Sequence, residues 1–338
     1  SLFGRLLAEI GGTALANYDR VTVTEQAFLT GGYQGNASIE VSLLDGFAPS
    51  LGDAFDLVTA QTVTSSASLG QLFELPNLGG NLFLVPWIAT DTTTQSLRLG
   101  VLEALDATWN GGAGSYTDPL QWSFSGTPVA ASFPSNDAWN LFRVRIDGGQ
   151  SGVASAVSLG TDVAIDRLEI DTDDSLTVED AVSLTVAFGS NRPGSGEIVN
   201  DGMLALGGAA SLTQLLFEGD LTLSGSGTLA LSDSTQNRIA ATESSATLAN
   251  EAGHRLEGAG TLESDRIENR GTIAATGTNP LALSFSRLLN EGTLEASGAG
   301  GLDLGSVSFT NDGLLRVSSG SSASMGSLDN DGTTEVLS

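Results

Sequence analysis

Residues 269–275 read Asn-Arg-Gly-Thr-Ile-Ala-Ala, and this pattern returns as Asn-Glu-Gly-Thr-Leu-Glu-Ala at 290–296 and as Asn-Asp-Gly-Leu-Leu-Arg-Val at 311–317. A fourth copy begins at Asn330, so the motif Asn-x-Gly recurs at intervals of 21, 21 and 19 residues. Four apolar positions keep the same register in successive copies: Ile273, Leu294 and Leu315; Ala275, Ala296 and Val317; Leu281, Leu302 and Ala323; and Leu283, Leu304 and Met325. A repeat of about 20 residues is typical of a stacked, quasi-one-dimensional architecture.

Short strands with a corner after each account for the length of this repeat. Three strands and three corners use about 20 residues, and stacking such coils places equivalent residues about 4.8 Å apart. The alternation over residues 293–296 directs Leu294 and Ala296 inward and Thr293 and Glu295 outward. The sequence therefore predicts an all-β fold, a right-handed parallel β-helix (β-solenoid) with about 20 residues per coil.

The corner motif predicts a structural ladder along the solenoid. Asparagine tolerates left-handed backbone and can bond the equivalent Asn one coil away, whereas glycine accepts a positive φ without strain. We expect the ladder to consist of Asn269, Asn290, Asn311, Asn330, Gly271, Gly292, Gly313 and Gly332. The middle residues of the motif are expected to stack on a plain exposed edge, with a bridging cation as the alternative. They are Arg270, Glu291, Asp312 and Asp331.

Three zones follow one another along the chain. Residues 1–103 alternate β segments with turn signals, and residues 151–338 carry the solenoid. Between them, residues 104–150 form a Trp-rich junction that contains Trp109, Trp122 and Trp139. We interpret these aromatic side chains as a cap over the open end of the apolar core, with a sugar-binding platform as the alternative.

The repeated pattern Asn-x-Gly-Thr-[Leu/Ile]-x-Ala, interspersed with Gly-x-Gly-Thr-Leu, resembles the β-helical repeats of large bacterial exoproteins. These include autotransporter-like passengers and cell-surface proteins with sorting signals. Residues 18–23 and 41–58 resemble the segment that usually closes such an array, whereas residues 109–112 resemble the opening of one. The resemblance covers most of the chain and implies an extracellular or cell-surface location. It specifies architecture rather than activity.

Charge and composition exclude several classes of partner. The chain has 13 basic residues, all of them Arg, against 40 acidic residues, and its net charge is −27. Such a surface repels nucleic acid and anionic membranes and attracts cations, so no nucleic-acid partner is expected. Cysteine is absent, which fits an exported protein. No apolar run reaches the roughly 18 residues of a membrane span. Ser1 stands inside strand-like sequence, which suggests a processed or excised piece of a longer polypeptide.

Few residues suggest chemistry. The acidic run that begins at Asp171 resembles a calcium loop, but Leu176 stands where glycine is needed and Val182 where a carboxylate is needed. We interpret the run as a corner with exposed carboxylates, and weak Ca²⁺ binding is the alternative. The candidate ligands are Asp171, Asp173 and Asp174. His254 is the only histidine, so we predict an exposed corner there rather than a catalytic triad or a metal site.

These observations favour a non-enzymatic structural subunit of an extracellular bacterial filament, sheath or surface layer. Such an acidic subunit would assemble with itself, head to tail through solenoid ends or by strand addition. No cofactor is expected apart from the calcium alternative. A second interpretation is an adhesin module that binds surface polysaccharide through Trp109, Trp122 or Trp139. A polysaccharide lyase or hydrolase is the third, because β-helical enzymes use Asp pairs or Arg with Asp on one face of the rod.

Overall fold

The computed structural model describes residues 5–29, 39–65, 69–129, 131–146, 153–186 and 196–337. The fold is all-β and is built from parallel sheets of many strands, which confirms the predicted fold class. The handedness of the winding and the length of about 20 residues per coil stay predictions. No helix in the described part of the chain is long and apolar enough to cross a membrane.

The chain divides into two compact units. The first comprises the described residues of 1–105 and 136–141, and the second comprises those of 106–135, 142–186 and 196–337. The predicted boundary between residues 103 and 104 falls inside strand β9 (Gln95–Trp109). The predicted boundary between residues 150 and 151 lies outside the described residues.

The first unit contains short parallel sheets and an antiparallel hairpin. The parallel pairs join β1 (Leu6–Ile10), β4 (Ile39–Leu43) and β7 (Phe73–Glu74); β2 (Val21–Thr22) and β5 (Ala54–Ala60); and β3 (Gln26–Leu29) and β6 (Thr62–Ser65). Strand β8 (Leu82–Thr90) and the first part of β9 form the hairpin, and β9 also pairs antiparallel with β5. A single-turn helix, Leu69–Leu72, precedes β7. Phe55, Leu57, Leu97 and Leu99 are buried in the core of this unit.

The second unit is a stack of coils with three parallel sheets. Sheet I contains β10 (Ala113–Ser115), β13 (Ala156–Leu159), β16 (Ser175–Val178), β19 (Met203–Leu206), β22 (Thr228–Leu231), β25 (Arg255–Gly258), β28 (Thr272–Ala275), β31 (Thr293–Ala296), β34 (Leu314–Val317) and β37 (Thr333–Val336). Sheet II contains β14 (Val163–Ile165), β17 (Ser183–Val186), β20 (Thr213–Phe217), β23 (Asn237–Ala241), β26 (Gly260–Glu263), β29 (Leu281–Ser284), β32 (Leu302–Asp303) and β35 (Ala323–Ser324).

Sheet III of the second unit contains the strands that lead into the Asn-x-Gly corners. Its strands in the second unit are β12 (Asn140–Ile146, of which the part from Phe142 lies in this unit), β15 (Arg167–Ile170), β18 (Gly196–Asn200), β21 (Leu221–Ser224), β24 (Thr247–Asn250), β27 (Arg266–Asn269), β30 (Arg287–Asn290), β33 (Phe309–Asn311) and β36 (Leu328–Asn330). Strand β11 (Trp122–Phe124) pairs antiparallel with the last residues of β9, and a 3₁₀ turn, Pro119–Gln121, precedes it.

The register of the sheets follows the repeat of the sequence. Ile273 pairs with Leu294 and Leu294 with Leu315, as their positions in the repeat predict. In β31 the side chains of Leu294 and Ala296 are buried, whereas Thr293 and Glu295 are half-exposed. The predicted inward and outward faces are therefore confirmed. Full burial of an inward leucine contributes about 1.5–3 kcal/mol, so the stacked apolar columns are the main source of stability.

Candidate functional site

The corner after sheet III holds a continuous row of hydrogen-bonded asparagine side chains, here called the asparagine ladder. It consists of Asn250, Asn269, Asn290, Asn311 and Asn330. The Nδ2 of each residue donates to the Oδ1 of the next at 2.6 to 2.8 Å. All except Asn330 are buried. The predicted bond between stacked asparagines is confirmed, and Asn250 belongs to the same row.

The backbone of the corner repeats the same contacts. The carbonyl oxygen of Asn269 accepts from the N–H groups of Glu291 and Gly292, both at 2.8 Å. The carbonyl of Asn290 accepts in the same way from Asp312 and Gly313. Each corner therefore binds the next through both side-chain and backbone hydrogen bonds, which satisfies polar groups that are buried away from water.

The glycines of the corner motif are required for close packing of neighbouring backbones. The expectation that they adopt a positive φ was wrong. None of Gly271, Gly292, Gly313 and Gly332 has a φ in the left-handed region. Instead, a methyl group on Gly292 would lie far inside contact distance of the carbonyl oxygen of Gly271, and the same holds for Gly313 above Gly292. Only glycine permits this approach of one backbone to the next.

His254 lies inside the corner, so the prediction of an exposed position was wrong. Its side chain is 1 % exposed, and its Nδ1 lies 2.7 Å from the Oδ1 of Asn250. The Nε2 lies 3.4 Å from the Nδ2 of Asn200, which is also buried. Burial lowers the pKa of His254 from 6.5 to about 4, because the charged ring loses its hydration. The imidazole is therefore neutral at pH 7 and continues the asparagine ladder toward earlier coils.

Two of the four middle residues, Arg270 and Glu291, belong to a short surface ion-pair network. The guanidinium of Arg270 contacts carboxylates of Glu251, Glu268 and Glu291 at 2.7 to 3.0 Å. The stacking of Arg270 against Glu291 matches the prediction for the outer edge. Since all four side chains are partly exposed, solvent screening limits the contribution of each pair to less than about 1 kcal/mol.

The three calcium candidates lie at the corner between β15 and β16. Asp171 binds Arg145 at 2.8 Å, and Asp174 accepts the backbone N–H of Ser155 at 2.7 Å. Asp173 is exposed and has a φ of 69°. The expectation of exposed carboxylates is wrong for Asp174, which is 5 % exposed. Nowhere in the described residues do three or more acidic or histidine side chains converge as metal ligands would.

Two other aspartates tie corners of different coils together, and sequence reasoning missed both. The Oδ1 of Asp180 accepts three successive backbone N–H groups, those of Ala209, Ala210 and Ser211, at 2.8 to 3.2 Å. These bonds lower the pKa of Asp180. Turn-forming composition marks such positions only as corners, because the partner coil is 29 to 31 residues away.

The second aspartate is Asp233, whose carboxylate accepts from the hydroxyl of Thr278 and, at 2.8 Å, from the backbone N–H of Asn279. The side-chain amide of Asn279 donates back to the carbonyl oxygen of Asp233 at 3.0 Å. These hydrogen bonds lower the pKa of Asp233 from 3.8 to about 2, and the bond from Thr278 has the largest effect, ahead of the bond from the N–H of Asn279. The acidic composition is therefore partly structural, because these carboxylates serve as acceptors for backbone N–H groups.

The tryptophans of the junction differ in exposure. Trp109 and Trp122 are buried, with ring centroids 5.2 Å apart in an edge-to-face arrangement. The Nε1 of Trp122 donates to the carbonyl of Tyr116 at 2.7 Å, and the ring of Trp109 packs on Gly114. Trp139, in the first unit, is 41 % exposed and covers Gly52. Of the three predicted contact residues, Trp139 alone presents its ring to solvent.

Comparison of the chain with protein-family models, with curated proteins and with solved structures finds no match. The residues themselves therefore carry the functional argument.

Proposed function

We propose that this chain is a non-enzymatic structural subunit of an extracellular bacterial filament, sheath or surface layer. The asparagine ladder is the observation that carries the proposal. Buried polar side chains are costly unless fully bonded, and here they are used to join one coil to the next. Coils joined in this way are suited to a repetitive structural element.

The strands at the outer positions of the sheets support self-assembly. Within the described residues, β35, β36 and β37 each have a strand partner on one side only. Such edge strands present N–H and C=O groups to another chain. A contact between different surfaces of two copies is heterologous, and it produces an open filament unless the rotation closes into a ring.

Electron microscopy of the purified chain at rising concentration tests the proposal. We expect regular filaments, and samples with calcium and with chelator will show whether filament growth depends on a divalent cation. Short, dispersed rods at every concentration and in both conditions would rule out the filament.

Charged substitutions distinguish assembly through the outer strands from non-specific association. Leu328→Asp and Leu337→Asp place a charge on or just after the outer strands of the second unit, and we expect both to prevent filament growth. Leu212→Asp is the matched control, since Leu212 is exposed like Leu337 but lies in a corner of an inner coil. Equal loss of filaments in all three variants would contradict assembly through these strands.

An adhesin that binds surface polysaccharide is the second candidate, and the exposed ring of Trp139 favours it. An indole face can stack on the apolar face of a pyranose ring. This function predicts glycan-array binding that Trp139→Ala abolishes and Phe28→Ala retains, because Phe28 is 50 % exposed in the same unit. An array that shows no binding to any glycan would exclude this candidate.

A further inference from the structure

The contacts of His254 define its tautomer. The Nδ2 of Asn250 donates to Asn269 at 2.8 Å, so the Oδ1 of Asn250 is left as an acceptor. The Nδ1 of His254, 2.7 Å from that oxygen, must therefore carry the hydrogen. In the neutral ring Nε2 is then an acceptor, and it faces the Nδ2 of Asn200 at 3.4 Å.

Asn200 lies two coils before His254 and is fully buried. The corner of the intervening coil has Gly225-Ser226-Gly227 in place of an Asn-x-Gly motif. Its backbone joins the two neighbours, since the N–H of Gly227 donates to the carbonyl of Asn200 at 2.7 Å and the carbonyl of Gly227 accepts from Arg255. The imidazole of His254 thus spans a coil that supplies no ladder amide.

The amide of Asn200 has a second orientation available to it. In the present orientation its Oδ1 is buried and accepts no hydrogen bond from any described residue. Rotation of the amide by half a turn would place this oxygen opposite the Nε2 of His254 and would exchange a donor for an acceptor. A buried acceptor without a donor carries a free-energy cost, and in the rotated orientation this oxygen would accept a hydrogen bond from Nε2 if Nε2 carried a hydrogen.

We propose that His254 and Asn200 form a proton-operated switch at the start of the asparagine ladder. With a neutral imidazole, Asn200 directs its Nδ2 toward Nε2. When the ring takes up a proton from solvent, both ring nitrogens donate, and the Asn200 amide turns over so that its Oδ1 accepts from Nε2–H. The bond to Asn250 is the same in both states, so the ladder from Asn250 to Asn330 is preserved while its link to the earlier coil changes.

The charged groups near the switch are engaged elsewhere. Asn200 and Asn250, which contact the ring, do not titrate. On the adjoining corners, Asp201 accepts from the N–H of Ser226 at 2.8 Å, and Glu251 is paired with Arg270 at 2.7 Å.

Arg255, which follows His254 in the chain, is paired with Glu257.

Burial is the cause that lowers the pKa of His254 to about 4, so the switch operates in acid. Between pH 6.5 and 4 the unfolded chain binds more protons than the folded chain, and stability falls as the pH falls through this range.

Nuclear magnetic resonance of the ¹⁵N-labelled chain tests the proposal, because the single histidine gives an unambiguous imidazole signal. We expect the neutral Nδ1–H tautomer at pH 7 and protonation of the ring in acid while the backbone spectrum stays that of the folded chain. The Nε2–H tautomer at pH 7, titration near pH 6.5, or protonation that coincides with global unfolding would each overturn the switch.

Two substitutions at position 200 test the role of the amide. Asn200→Asp places a permanent acceptor opposite Nε2 and stabilises the protonated imidazole of His254. We therefore expect the acid dissociation constant of this imidazole to fall by about tenfold or more. Asn200→Leu removes the acceptor, and the constant is expected to rise by a similar factor. Asn330→Leu, at the far end of the asparagine ladder, is the matched control and should leave the acid dissociation constant of His254 unchanged. If the Asn200→Asp variant folds and the acid dissociation constant of its His254 imidazole is unchanged, the proposal is overturned. If both variants fail to fold, the tautomer of His254 in the wild-type chain still decides the question.

Discussion

Each residue of the Asn-x-Gly corner has a separate physical task. The asparagine joins consecutive coils through its side-chain amide, the middle residue remains on the surface, and the glycine lets two backbones approach closely. Since these tasks depend on different atoms, substitutions at the three positions should have different energetic consequences.

Gly292→Asn tests the close approach of the backbones. A Cβ at this position would collide with the carbonyl oxygen of Gly271, so we expect a loss of about 1–3 kcal/mol or more in the free energy of unfolding. Gly320→Asn is the matched control. Gly320 has a φ of 81° with open space around it, a conformation that asparagine tolerates. Urea denaturation measures both, and equal losses would contradict the steric argument.

Asn290→Asp tests the polarity of the asparagine ladder. The new carboxylate accepts from Asn269 but opposes the Oδ1 of Asn311, and it buries a charge. We expect a loss of about 3 kcal/mol or more at pH 7. The loss should shrink in acid, because a protonated carboxyl can again donate to Asn311. The matched control, Asn330→Asp, retains the acceptor at an exposed position and should change stability by less than about 0.5 kcal/mol. A loss independent of pH would contradict this account.

At the level of strands and corners, aspartates act as clamps between coils. The ionised carboxylate of Asp180 accepts three backbone N–H groups, and that of Asp233 joins corners 45 to 46 residues apart in the sequence. Hydrogen bonds to a charged acceptor are stronger than neutral ones. Corners without regular backbone pairing are thereby held in place.

Asp233→Asn should destabilise the chain in a manner that depends on pH. The folded-state pKa of Asp233 is lowered to about 2, so its carboxylate contributes stability above about pH 4, and this contribution is lost as the pH falls through 2. Thermal unfolding at pH 7 should therefore show a lower Tm for the variant, and the difference should vanish toward pH 2. Asp173→Asn, at an exposed left-handed corner, is the control with no expected change. A difference that persists at pH 2 would exclude the carboxylate as the cause.

For the molecule as a whole, parallel stacking makes stability a sum over neighbouring coils. The coils around β24, β27 and β30 are bonded on both sides and have fully buried side chains, whereas residues 321–337 are half-exposed or exposed. Local opening is therefore expected to be easiest in the last coil described.

Hydrogen exchange followed by mass spectrometry measures this gradient. Peptides that cover β24 to β30 should exchange slowest in the second unit, and peptides that cover β35 to β37 should exchange fastest. Filament formation, if it occurs through the outer strands, should slow the exchange of β35 to β37 and leave β24 to β30 unchanged. Uniform protection of the monomer would contradict a stack of separately opening coils.

The sequence alone was sufficient to predict the all-β fold, the pairing of equivalent residues such as Ile273 with Leu294, and the inward direction of Leu294 and Ala296. Each of these follows from local regularities, since alternation within a strand defines its faces and a constant interval aligns equivalent residues. The Asn–Asn bonds were predictable for the same reason, because the ladder joins identical positions of adjacent copies.

Only the tertiary structure decided what depends on contacts between unlike residues in different coils. His254 is buried because it reaches Asn200 across a coil that lacks an asparagine, 54 residues away. The glycines are required by backbone carbonyls of the neighbouring coil rather than by their own φ. The exposure of Trp139 and the burial of Trp109 and Trp122 likewise depend on packing that no local pattern encodes. Local periodicity thus determines the path of the chain, while the surroundings of an individual side chain depend on what the stacking brings against it.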